Sequence, residues 1–196
     1  NNNTAVGHHS LGANTTGTEN VAVGAYVLDA STTASYNTGV GKAALGATTT
    51  GSFNTAAGVD ALSANTTGQY NTAFGVNALA LNTTAIHNLA VGHQSMYANT
   101  TGTLNVAIGS HTLDANTTGS YNTGCGYQSL TANTTAGYNT AYGYKTLYTN
   151  TTGQSNVAVG LETLYANSTG TENVAVGNYA LDANTTGIQN NAIGYH

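Results

Sequence analysis

The chain has 196 residues, of which nine are charged (two Lys, seven Asp or Glu, net charge −5), with 25 Gly, no Pro and no Trp. Two cations cannot neutralise a phosphate backbone or an anionic bilayer surface, which argues against nucleic acid and anionic membranes as partners. No apolar run approaches the roughly eighteen residues of a membrane-spanning helix, so no membrane insertion is expected.

Asparagines recur every seventeen residues, at 3, 20, 37, 54, 71, 88, 105, 122, 139, 156, 173 and 190, without a slip. A period this strict signals one supersecondary unit stacked on copies of itself. No change of composition divides the array, so residues 1–196 are expected to form a single solenoid domain. The array starts and stops within a repeat and shows no polar capping unit, which predicts a segment of a longer fibre.

With each recurring Asn taken as position 0, the repeat reads in chain order as follows. Position 2 is Ala except at Gly39 and Gly124, and position 3 is mostly apolar. Positions 0 to 3 therefore predict a short strand. Position 4 is Gly in all twelve copies, which demands either a positive φ or a backbone approach with no room for Cβ. Position 8 is Leu, or Met96 once, the choice expected of the one large side chain in a narrow interior. Alternation over positions 7 to 10 predicts a second strand, with Leu and the Ala of position 10 inside and position 9 outside.

Positions 11 to 14 read Asn-Thr-Thr-Gly in the typical copy, a turn whose Asn and Gly tolerate left-handed conformations. Stacking would put Asn above Asn and allow a ladder of side-chain amides. All nine charges fall at positions 5, 6, 9 and 16, which must face water, because an unpaired buried charge costs several kcal/mol. The expected fold is an all-β parallel solenoid (β-roll) of about eleven seventeen-residue coils. At about 4.8 Å per coil it makes a rod of roughly 50 Å.

Position 3 carries Val23, Val40, Phe74, Val91, Ile108, Tyr142, Val159, Val176 and Ile193, and must point away from the crowded Ala of position 2. A strand apolar on both faces needs a layer on each, and one coil supplies only one. The stripe predicts self-association about an axis parallel to the rod, where every coil repeats the same contact.

Asn-Val-Ala-Val-Gly at 20–24, 156–160 and 173–177 and Asn-Val-Ala-Ile-Gly at 105–109 resemble the head repeats of trimeric autotransporter adhesins, and the Asn-Thr-Ala-x-Gly and Asn-Thr-Thr-Gly motifs also resemble phage and viral fibre repeats. The resemblance implies a left-handed β-roll, a homotrimer, and an extracellular role at a cell or virion surface. There it would display or attach, with a host glycan or protein as receptor.

Nothing in the sequence predicts catalysis, a cofactor or a metal. The acids form no pair at the 5–10 Å spacing that glycoside hydrolysis needs. His93 and His111 fall at positions 5 and 6 of adjacent coils, expected to point to opposite sides. Position 16 is aromatic at Tyr36, Phe53, Tyr70, Tyr121 and Tyr138, either a stabilising ladder or an exposed surface for gripping sugars or proteins. Position 13 is always Thr, including Thr16, Thr50, Thr67, Thr101, Thr118, Thr152 and Thr186. This column resembles the Thr arrays of ice-binding solenoids, an alternative function. Asn-Thr-Thr also matches the N-glycosylation sequon.

Overall fold

The computed structural model describes residues 2–196. Twelve three-residue strands, from β1 (Thr4–Val6) to β12 (Asn191–Ile193), each fill positions 1 to 3 of a repeat and pair in parallel, in sequence order, as one twelve-stranded sheet. The register is the seventeen-residue period itself: Ala107 lies between Ala90 and Gly124. The chain is a parallel β-solenoid of about eleven coils.

The second predicted strand is absent. Positions 5 to 10 form consecutive turns, because positions 6 and 8 both have positive φ, as His111 (55°) and Leu113 (52°) illustrate. A left-handed residue reverses the side-chain alternation that a strand would keep. Positions 7 and 8 therefore both point inward (Thr112 and Leu113 are buried), while positions 9 and 10 are half-exposed in most coils. The Ala of position 10 is consequently no part of the core. The core is one Leu or Met per coil, the Ala of position 2, and the small side chains of position 7. Where position 7 is large, its neighbour shrinks: a Cβ at Gly39 would lie 2.5 Å from Cγ1 of Val27.

Although the coil is mostly turns, its backbone is paired from coil to coil. In coil 105–121, the amides of Gly109 and His111 donate to Val91 and His93 of the preceding coil (2.7 and 3.0 Å). Those of Leu113, Ala115 and Thr117 donate to Ser129, Thr131 and Thr134 of the following one (3.0, 3.1 and 2.8 Å). Buried backbone groups need such partners. The Thr hydroxyls of position 12 continue the pattern, Thr117 donating to the Thr134 carbonyl at 3.1 Å.

The position 0 amide finds no backbone partner in the neighbouring coil, and a side chain takes its place. Asn105 N donates to Oδ1 of Asn88 (3.0 Å), and Asn105 Oδ1 in turn accepts from Asn122 N (2.9 Å) and Asn122 Nδ2 (3.2 Å). A second amide column runs through position 11, where Asn116 Nδ2 donates to Asn99 Oδ1 at 2.8 Å and Asn133 Nδ2 to Asn116 Oδ1 at 2.9 Å. The two columns meet: Asn105 Nδ2 and Asn116 Nδ2 both donate to the Gly119 carbonyl (2.9 and 3.0 Å). Only the second column was expected.

Its turn is not left-handed either, since no residue at position 11 or 14 has a positive φ. Ala34, Ala85 and Ala136 replace Gly at position 14 and keep the carbonyl bond, so that position asks for a small residue. Ser31 and Thr48 interrupt the second column. Asn14 Oδ1 and Ser31 Oγ are left buried without a hydrogen-bond partner, a local cost of about 1–3 kcal/mol per group.

Position 4 needs its glycine on both counts considered above. Gly109 has φ 132°, and a Cβ there would sit 2.6 Å from the Gly126 carbonyl oxygen of the next coil. Three further left-handed corners, at positions 6, 8 and 16, carry ordinary residues. Val, Ile and Thr never occur at these three, although they are common at positions 1, 3, 12 and 13. A branched Cβ is the worst side chain for that conformation. Leu113→Met should be nearly neutral in urea denaturation. Leu113→Ile, ordinarily a mild core change, should cost a further ~1–2 kcal/mol for a branched residue at positive φ; equal midpoints would refute the constraint.

Candidate functional site

A stack that satisfies its own polar groups leaves only its outer wall for function. On the sheet, the inward residue of each interior strand is sealed while its neighbours face out: Ala107 is 0% exposed and Ile108 40%. Val23, Val40, Phe74, Tyr142, Val159, Val176 and Ile193 are exposed in the same column, with Val91 and Cys125 half-buried. Position 1, which shares this outward face, holds Thr, Val or Leu and one Asn191, so neither outward column contains a charge. The structure thus presents an uncharged, largely apolar ribbon twelve strands long.

The position 16 rings form a ladder. Tyr36, Phe53, Tyr70 and His87 stack in succession at 5.0, 5.0 and 4.9 Å between centroids, within 5° of parallel, and Tyr121 stacks on Tyr138 at 4.9 Å and 3°. His87 continues the column, and Leu104 separates its two segments. Each interior ring has both faces covered by its neighbours, so only ring edges and the ends of each segment are open to a partner. A shorter set of rings gathers in coils eight to ten: Tyr127 on Tyr144 at 5.7 Å and Tyr148 on Tyr165 at 5.2 Å. The Lys145 ammonium lies 5.3 and 5.4 Å from the Tyr144 and Tyr148 centroids. Hydrogen bonding to Tyr144 raises the Lys145 pKa above its ordinary value.

The two Thr columns differ. Position 12 is half-buried in the interior coils and its hydroxyls are bound to carbonyls, as in Thr66 to Thr83 O at 3.0 Å. Position 13, including Thr16, Thr50, Thr67, Thr101, Thr118, Thr152 and Thr186, is exposed throughout. Its hydroxyls are the free column. The sequon asparagines of the interior coils, Asn65, Asn82, Asn99, Asn116, Asn133, Asn150 and Asn167, are fully buried in the amide ladder. The folded coil therefore presents no acceptor nitrogen at these sites.

His93 and His111 were expected on opposite sides and are on the same one, with ring centroids 5.2 Å apart and planes 76° to each other. The positive φ of His111 turns its ring beside position 5. Its Nδ1 faces Asp114 Oδ2 at 3.2 Å. His8 and His9 likewise sit edge to face at 4.3 Å, with His9 Nδ1 3.9 Å from Asp29 Oδ1. Among the described residues no three His, Cys, Asp or Glu side chains come together as a metal-binding group.

The residues that sequence reasoning missed are the position 0 asparagines as ladder members and the corners at 6, 8 and 16. Both had a signal. An invariant Asn preceding a strand, and the absence of β-branched residues from three positions in a chain rich in them, are visible in the repeat. No protein-family model, no curated protein and no solved structure matches this chain.

Proposed function

We propose that the chain is a non-enzymatic shaft of an extracellular fibre, built to space and display an attachment element at a cell or virion surface. The observation that carries this reading is the uncharged ribbon at positions 1 and 3, running the whole length of the rod on the side away from its core. A contiguous apolar surface of that extent marks an interaction face. A straight stripe repeating once per coil is best covered by copies of itself around a parallel axis. The resemblance to trimeric adhesin heads makes the number three, and the resemblance to phage and viral fibres supports a tail-fibre shaft equally; a host glycan or protein would be met by the display element or the outer wall. The scarcity of charge suits this role, since the exposed Thr column of position 13 wets its face without like-charge repulsion down the stack.

A second reading, an ice-binding solenoid, is favoured by one observation: the position 13 hydroxyls form an exposed column with no bond inside the coil, while those of position 12 are engaged. Thermal hysteresis at micromolar protein is its signature, and a freezing point equal to the melting point removes it. For the fibre, sedimentation equilibrium should return three chain masses. Replacing Ile108 and Val159 by Asp should return one, because each buried charge at the axis costs several kcal/mol. A single-chain mass for the unsubstituted protein, or an unchanged mass for the variant, would contradict the assignment.

A further inference from the structure

We propose that the outer wall carries a two-histidine site for a divalent transition metal, formed by His93 and His111 and oriented by Asp114. Two imidazoles sharing one metal, each bound through a ring nitrogen at about 2.0–2.1 Å, have centroids roughly 3 Å from the ion. They then lie about 4.5 Å apart at a right angle and about 5.2 Å apart at a tetrahedral one. The His93 and His111 centroids are 5.2 Å apart. The pair is held by the backbone as well as by the side chains, since His111 N donates to His93 O across the two coils at 3.0 Å.

The carboxylate supplies the second element of such a site. A metal-binding imidazole usually gives its other ring N–H to a carboxylate, which fixes the tautomer and turns the remaining nitrogen outward as a lone pair. Asp114 Oδ2 is 3.2 Å from His111 Nδ1, which leaves Nε2 for the ion. Both groups are partly shielded, with side chains 28% exposed.

A second His–Asp cluster, differently connected, lies in the first two coils. His8 and His9, neighbours within one coil, have ring centroids 4.3 Å apart, and His9 Nδ1 lies 3.9 Å from Asp29 Oδ1 of the following coil, with the His and Asp side chains 58% and 40% exposed. Four of the six histidines thus occur in two pairs, and the position 6 ring of each has a position 9 aspartate beside it, from its own coil at His111 and from the next coil at His9. With only two protein ligands, water fills the remaining positions. Imidazole donors select Cu2+, Ni2+ or Zn2+ over Ca2+ and Mg2+, and among them Cu2+ binds most tightly.

Calorimetric titration of the untagged full chain with Cu2+ at neutral pH should show two classes of site. The tighter one should vanish in His93→Ala and in His111→Gln, and weaken about ten-fold or more in Asp114→Asn. His87→Ala should change neither. Paramagnetic resonance of the tighter site should show two nitrogen ligands. The substituted side chains lie outside the core, so each metal-free variant should keep the parent's circular dichroism and melting temperature. Absence of saturable binding below millimolar Cu2+, or binding equally strong in all the variants, would overturn the site.

Discussion

The stack depends on how one backbone amide per coil is satisfied. At position 0 the chain enters the strand, and the Asn105 N–H finds the side-chain oxygen of Asn88 where no carbonyl is available. The Asn105 side chain in turn donates its Nδ2 to Asn88 Oδ1 and, across its own coil, to the Gly119 carbonyl. One residue type thus closes a gap in the coil-to-coil ladder, ties two corners of each coil together, and does so in a fully buried setting. Leaving the group unmet would cost about 1–3 kcal/mol per coil, and the cost would recur at every coil. That accounts for an Asn that never varies over twelve copies.

With so much coil-to-coil polar pairing, the hydrophobic part can be small. Each interior coil buries one Leu or Met beside alanines and short polar side chains. The left-handed corners turn the chain tightly enough to surround that single side chain, and their strain of about 1–2 kcal/mol per residue is offset by the pairing on either side. The sharp corners have a second effect. By placing positions 5 and 6 on one side, they bring together imidazoles that a strand would separate, as at His93 and His111.

Much of this was legible in the repeat. The period, the inward Leu, the glycine corner, the water-facing charges and the amide column of position 11 each leave a mark at a single position, and twelve stacked copies make that mark easy to read. The supposed strand over positions 7 to 10 was not, because Leu, x, Ala fits a period of two whether or not the backbone is extended. The φ signs that decide between the two show only in which residues are missing, such as the absence of Val, Ile and Thr at positions 6, 8 and 16. The surfaces were legible as patterns, and their accessibility was not. The aromatic column reads alike as a grip or a ladder until the rings are seen face to face at 5.0 Å, and the sequons read as acceptors until their asparagines are found inside.

The outer wall then divides into strips of distinct character: an uncharged apolar ribbon, a file of stacked rings, a line of free Thr hydroxyls and two His–Asp clusters. All of them rest on the position 0 ladder, so its most direct test is amide hydrogen exchange in Asn105→Ala. The Asn122 amide, whose acceptor is Asn105 Oδ1, should lose its protection, while Gly126 N, bonded to Ile108 O at 2.8 Å, should keep most of its own. Unchanged protection at Asn122 would contradict the central role given to the ladder.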